Sequence, residues 1–149
     1  MIIREVETKE EAIECNKLLT KLIDEEKEYN DNIKDDLIIT DWFQNLYLKE
    51  DKLLLIALDN KKVVAYIYIK IKNDDTNKYK EALLDGIYVL EEYRNNGIAT
   101  LLINKAKSWC INNNIKYLSL NVSYQNEIAR KLYQKNGFKE FYINLKCDL

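Results

Sequence analysis

Leu84-Asp85-Gly86-Ile87-Tyr88-Val89-Leu90-Glu91-Glu92-Tyr93-Arg94-Asn95-Asn96-Gly97-Ile98-Ala99-Thr100 changes character twice in one short stretch. Its apolar and β-branched start, within Glu81 to Leu90, reads as a strand. Glu91 to Asn96 is polar turn chemistry. From Gly97 to Asn113, Ile98, Leu101, Leu102, Ala106, Trp109 and Cys110 recur three and four apart, the spacing of a helix. Strand, tight turn and amphipathic helix in this order imply a sheet flanked by helices.

The chain has only three glycines, Gly86, Gly97 and Gly137, and no proline. Gly97 opens a helix, where backbone N–H groups are unpaired and carry partial positive charge. Small residues at Gly97 and Ala99 would admit an anion such as a pyrophosphate, with Arg94 adding charge. The plainer alternative is that Gly97 only starts the helix and Arg94 is solvated. Gly86 within a strand marks a bulge or a close approach to the backbone. Beside it, Asp85 is either turned to solvent by that bulge or held in a partly buried site, where desolvation would raise its pKa toward a general base's range.

A third segment is Asn126-x-x-Ala129-x-x-Leu132-Tyr133-x-x-x-Gly137-Phe138. Asn126 fits a helix N-cap or first-turn position and Gly137 the left-handed helix end. Tyr133 shares a helical face with Asn126, Ala129 and Arg130, and core packing accounts for such a tyrosine as well as chemistry does.

Around these segments, Met1 to Val6 reads as a short strand. Thr8 to Glu28 reads as a helix, with Thr8 and Glu11 forming a capping box. A second helix is expected over Thr40 to Lys49, carrying Trp42, Phe43, Leu46 and Tyr47 on one face. Leu53–Leu58 and Val63–Ile71 flank the polar turn Asp59–Lys62 as a hairpin. Tyr117–Val122 is a strand, Asn126–Lys135 a helix and Phe138–Lys146 a closing strand. The expected fold is α/β (α+β), a mixed, mostly antiparallel twisted sheet of six to seven strands flanked by about four helices, in one domain over residues 1–149.

Composition narrows the chemistry. With no histidine among 149 residues, Ser-His-Asp and Cys-His catalysis and histidine-ligated zinc are excluded. No metal site is expected. A net charge of −2 argues against binding to nucleic acid, and no apolar run is long enough for a membrane span. Cys15, Cys110 and Cys147 are odd in number and widely spaced, which fits a reducing, cytoplasmic compartment.

In the order and spacing of these motifs, Leu84 to Thr100 followed by Asn126 to Phe138, the sequence resembles the GCN5-related N-acetyltransferase (GNAT) family. Asp85-Gly-Ile-Tyr-Val-Leu90 also resembles the aminoglycoside 6′-N-acetyltransferases, which carry an acidic residue at the Asp85 position. The resemblance implies the acyl-CoA N-acyltransferase type of fold. Acetyl-CoA would be co-substrate, its pantetheine arm entering between the strands of Ile87–Val89 and Tyr117–Val122. Cofactor contacts would come from Ile87, Tyr88, Val89, Arg94, Asn95, Asn96, Gly97, Ile98, Ala99, Thr100 and Asn126, and catalysis from Asp85 and Tyr133. Ala99 stands where a second glycine is frequent, and aspartate replaces the commoner glutamate at position 85.

The expected reaction moves an acetyl group to a primary amine of a small cationic molecule, an aminoglycoside or polyamine. Alternatives are a protein lysine or N-terminal acetyltransferase, and a member that binds acetyl-CoA without turnover. Asp85 would deprotonate the amine, directly or through water, with Glu81 as a second candidate. Tyr133 would stabilise the departing thiolate. Asp24, Glu25, Glu26, Glu28, Asp31, Asp35, Asp36 and Asp41 crowd the acceptor side, as an attracting rim or as a solvated face. The small-molecule amine is the expected partner, and a homodimer is allowed for.

Overall fold

The computed structural model describes all 149 residues. Five strands form one sheet in the order β1 (Ile2–Glu5), β2 (Lys52–Asp59), β3 (Lys62–Ile71), β4 (Glu81–Val89) and β5 (Tyr117–Ser119). The first four are successively antiparallel, and β5 joins β4 in parallel. Helices α1 (Lys9–Glu26), α2 (Ile98–Asn112) and α3 (Glu127–Lys135) complete the fold. Helix α2 is the crossover between the parallel strands β4 and β5, as such a pair requires.

Strands β2 and β3 are buried along nearly their whole length, because the sheet carries an apolar layer on each face. Leu53, Leu55, Val64, Ile67 and Ile69 pack with Leu102, Ile103 and Ala106 of α2. Leu54, Ile56, Tyr66 and Tyr68 pack with Ala12, Cys15 and Leu18 of α1. Thr8 caps α1 by accepting from the Glu11 N–H at 3.2 Å. The Glu11 carboxylate accepts from the Glu7 N–H at 2.9 Å and binds both arms of the Arg4 guanidinium. The Thr8–Glu11 capping reading therefore holds, with the reciprocal bond displaced by one residue.

Two expected elements are absent, so the sheet has five strands and three α-helices rather than six or seven and four. Thr40 to Lys49 forms only the short 3-10 turn Phe43–Asn45. The buried Asn16 side chain donates to the Thr40 carbonyl and the Gln44 Oε1, and accepts from the Phe43 N–H. Thr20 Oγ1 accepts from the Ile39 N–H. Those bonds pin the connection to α1 and draw Phe43 into the core, against Tyr66 and Tyr68. Phe138 to Lys146 is not a paired strand either. The chain beyond Phe138 makes no backbone–backbone hydrogen bond and lies exposed. Likewise β5 ends at Ser119, short of the expected Val122.

Candidate active site

The site is organised by an irregularity in β4. Tyr68 pairs with Gly86 and Ile69 with Leu84, so Asp85 is the extra residue of a β-bulge. The bulge turns the Asp85 carboxylate to solvent, 39% exposed and 3.7 Å from the Lys70 ammonium. Of the two sequence readings of Asp85, the solvent-facing one is realised and the partly buried one is corrected. Gly86 beside it is buried, and a Cβ built there would stand 2.7 Å from the Tyr66 hydroxyl. Tyr66 is fully buried and its hydroxyl has no hydrogen-bond partner.

The Leu90 N–H donates to the Val64 carbonyl at 2.9 Å. Bonded and non-bonded pairs alternate along an antiparallel ladder, so Tyr88 and Gly86 bond to β3 while Ile87 and Val89 turn their backbone groups to the other side. That side is open. β5 pairs with β4 only at Glu81–Tyr117, Ala82–Leu118 and Leu83–Ser119, and Leu84 to Val89 face a gap without a neighbouring strand. The gap and the outward N–H groups of Ile87 and Val89 lie where the resemblance places the pantetheine arm, while the Val89 carbonyl accepts from Arg94.

The gap leads to the turn before α2. Asn95 and Gly97 have left-handed backbone angles, φ 63° and 77°. The N–H groups of Asn95, Asn96, Gly97, Ile98, Ala99 and Thr100 bond to no protein acceptor, the first helical bond being Leu101 N–H to the Gly97 carbonyl. A Cβ on Gly97 would meet nothing within 4 Å, so the turn is open to an approaching group. Consecutive unpaired N–H groups at a helix start suit a pyrophosphate. Asn96 holds the turn, its side-chain amide donating to the carbonyls of Tyr93 and Arg94.

Arg94 is placed differently from its expected role. Its Nε donates to the Val89 carbonyl at 2.9 Å and its Nη2 reaches Glu25 at 2.7 Å, with the guanidinium over the Tyr88 ring. The Tyr88 hydroxyl also donates to Glu25, at 2.9 Å. Burial first, then this bond to a carboxylate, pushes the Tyr88 phenol up to about 12. Glu25, Tyr88 and Arg94 thus fasten the C-terminal end of α1 beside β4 and the turn.

This fastening holds Glu26 at the same end of α1. Glu26 is exposed to solvent at this end of the helix. Desolvation, and then the negative charge of Asp85, raise its carboxyl above the ordinary range. Tyr133, on α3, is half-buried with its ring edge-on to Phe138, and its hydroxyl bonds to no protein group. Burial first, and the Glu26 charge second, push the Tyr133 phenol up to about 12. Asn126 caps α3, its Oδ1 accepting from the Ala129 N–H at 3.2 Å. Glu81, the second candidate base, is tied to Lys72 at 2.6 Å.

Around the bulge the Asp85 charge bears on Glu26 and Tyr66, and the Glu26 charge on Tyr66 and Tyr133. Glu26 was legible only as one member of the acidic run, and Tyr66 only as an alternating strand residue. No short-range signal separates either from its neighbours. A surface hollow lies at the opposite edge of the sheet, among Met1, Arg4, Glu11 and Asn60. Its Arg4 and Glu11 are already paired with each other.

The model of the Acetyltransferase (GNAT) family matches residues 16–138. Among curated proteins, an "Aminoglycoside N(6')-acetyltransferase type 1" of Acinetobacter genomosp. 13 is 30% identical over 101 residues, 65% of this chain and 69% of the relative. An "Uncharacterized N-acetyltransferase YhfO" of Bacillus subtilis (strain 168) is 26% identical over 90 residues, 60% of each chain. Among solved structures, a tetramutant of the BH1408 protein from Bacillus halodurans superposes with a TM-score of 0.86 at 22% identity, covering 100% of both chains. Aminoglycoside N-acetyltransferase AAC(6')-Iy in complex with CoA gives 0.73 at 20% identity, covering 98% of this chain and 100% of that one. With its bulged β4, the gap beside β5 and the open turn before α2, this chain belongs to the Acetyltransferase (GNAT) family: it is an N-acetyltransferase with acetyl-CoA as co-substrate.

Proposed function

We propose that the protein acetylates a primary amine on a small cationic molecule of the aminoglycoside or polyamine kind. The observation that carries this reading is the solvent-facing Asp85 carboxylate on the bulge, together with the acidic end of α1, where burial and then the charge of Asp85 raise the Glu26 carboxyl. Two acidic groups sharing a site attract a cation, whose binding relieves their repulsion. The named aminoglycoside acetyltransferases among the relatives support the same substrate class. The odd, widely spaced cysteines support action in a reducing, cytoplasmic compartment.

Bound acetyl-CoA supplies the activated acetyl thioester. The free N–H groups of Asn95 to Thr100 hold its pyrophosphate, Gly97 leaving the space open, and Asn126 contributes from the start of α3. An alkylammonium has a pKa of about 10.4, so at neutral pH a proton must leave before the nitrogen can attack. Asp85 takes that proton, directly or through water, with Glu26 beside it holding the cation. The outward backbone N–H groups of Ile87 and Val89 polarise the carbonyl oxygen. With its phenol at about 12 against a thiol near 8.5, full proton transfer from Tyr133 is uphill by roughly 5 kcal/mol. Tyr133 therefore acts as a hydrogen-bond donor to the thiolate, not as its acid.

Thermal denaturation in the presence of CoA tests the substrate class. An aminoglycoside or spermidine should raise the melting temperature beyond CoA alone, because a ligand of the native state stabilises it. A rise produced only by a lysine-bearing or free N-terminal peptide would favour a protein acceptor and reject this reading.

A further inference from the structure

Arg94 immediately precedes the six unpaired N–H groups of the turn, yet its side chain is engaged elsewhere. Strand β4 alternates, so Tyr88 packs in the layer against α1 and Val89 in the layer against α2. The short 3-10 turn Glu91–Tyr93 then brings Arg94 back beside the end of β4. Three contacts fix its guanidinium there. Nε donates to the Val89 carbonyl at 2.9 Å, Nη2 donates to Glu25 at 2.7 Å, and the group lies 5.1 Å from the centre of the Tyr88 ring. The Glu25 oxygen that accepts from Arg94 also accepts from the Tyr88 hydroxyl, at 2.9 Å. An isolated exposed ion pair contributes little. This one is tied to a backbone carbonyl and to a buried tyrosine, so its geometry is specified by groups on α1, β4 and the turn together. The charge of Arg94 is met by Glu25, while the N–H groups of Asn95 to Thr100 bond to no protein acceptor.

We propose that Arg94 is a positioning residue of the acceptor side and not a ligand of the pyrophosphate: through Glu25 it fixes the end of α1, and with it Glu26, relative to the bulge that carries Asp85. Glu25 and Glu26 are consecutive on the helix, so what anchors the first sets the direction of the second. Coulomb attraction falls with distance, so a cation held between Glu26 and Asp85 depends on where that helix end stands. This inference rests on the reading of Asp85 and Glu26 as the groups that receive the cationic amine. The two roles of Arg94 predict different responses to Glu25. A phosphate ligand would be shared between Glu25 and the cofactor, so removing the Glu25 charge would free it and tighten CoA binding. A positioning residue has no such competition, so the same change leaves CoA binding alone and loosens the acceptor side.

Calorimetry with CoA and hydrogen exchange of the α1 amides test this in Glu25→Gln and in the charge-conserving double variant Glu25→Gln, Arg94→Met. CoA affinity should stay within about threefold of wild type in both. The amides of Lys27 to Asn30, which bond back to Ile23, Glu25 and Glu26, should exchange at least tenfold faster. With spermidine or an aminoglycoside as acceptor, KM should rise about tenfold in both variants while kcat stays within about threefold. The double variant should be no worse than the single one, because the two side chains act as a unit. CoA binding at least fivefold tighter in Glu25→Gln, or tenfold weaker in the double variant, would make Arg94 a phosphate ligand and overturn the proposal. So would unchanged exchange at the end of α1, or an unchanged acceptor KM. If wild-type protein acetylates neither amine, the amine reading fails, and CoA affinity with amide exchange still decides the role of Arg94.

Discussion

The Tyr66 hydroxyl occupies the space where a side chain on Gly86 would begin: a Cβ at position 86 would lie 2.7 Å from that oxygen. Glycine at the bulge is thus dictated by a neighbouring strand, and its backbone angle is not left-handed. Tyr66 cannot swing away, because its ring is fully buried with Phe43 packed edge-on at 5.4 Å.

Gly86→Ala should therefore destabilise the fold by about 1–3 kcal/mol, the usual range for overpacking. Tyr66→Phe removes the oxygen and leaves ring carbons 3.5 Å away, an ordinary contact. The double variant should recover most of the loss, as read by denaturant unfolding in a double-mutant cycle. Tyr66→Phe alone should be neutral or stabilising, since it deletes a buried hydroxyl that has no partner. Additive losses in the cycle would disconnect the two residues.

Gly97 tests the turn before α2. Its φ of 77° is strained for any residue with a Cβ, at about 1–2 kcal/mol. The side chain of Gly97→Val would project into the open space before the six free N–H groups. Calorimetry should show CoA binding at least tenfold weaker, about 1.4 kcal/mol, in variant protein that is still folded. Unchanged affinity would move the pyrophosphate elsewhere.

Tyr133→Phe keeps the ring against Phe138 and deletes only the hydroxyl. Turnover should fall about 10- to 100-fold, the worth of one hydrogen bond to a charged group at about 1.5–3 kcal/mol. With the wild-type phenol at about 12, its ionisation should contribute no loss of rate below about pH 11. Full turnover in folded Tyr133→Phe protein would return this residue to core packing.

The strand, turn and helix from Leu84 to Thr100 were legible because each is set by local periodicity. The same holds for Asn126 as the α3 cap and for Thr8 as the α1 cap. The helix expected over Thr40 to Lys49 failed for a non-local reason: Asn16, far away in sequence, claims the groups that a helix would use. Phe138 to Lys146 has a strand's pattern, yet it pairs with no strand of the sheet, because alternation records an amphipathic face and not a partner. Glu26 joins the site only because Glu25 fastens α1 to Tyr88 and Arg94. Arg94 was correctly placed beside the turn, but the same contact directs its charge to Glu25.

Glu26 and Asp85 separate by pH. The folded chain holds the Glu26 carboxyl above its unfolded value, so it retains a proton that the unfolded chain releases. Stability then falls as pH rises from about 4.3, the unfolded value, to the folded one. Glu26→Gln should melt higher than wild type at pH 7, with the gain vanishing below about pH 4. Asp85→Asn should lower kcat about 10²- to 10⁴-fold at neutral pH, recovering in part as pH rises and free amine becomes available. A higher KM with kcat intact would assign Asp85 to holding the cation instead of removing its proton.

The most direct measurement is acetyl transfer itself, followed by mass spectrometry of the acceptor together with release of free CoA. The acceptors are an aminoglycoside, spermidine, a lysine peptide and a free N-terminal peptide. Acetylated aminoglycoside or spermidine is expected, with one CoA released per acetyl group. The rate should also fall as salt screens the Asp85–Glu26 pair. Acetylation confined to the peptides, or CoA binding without transfer to any amine, would contradict the proposed reaction.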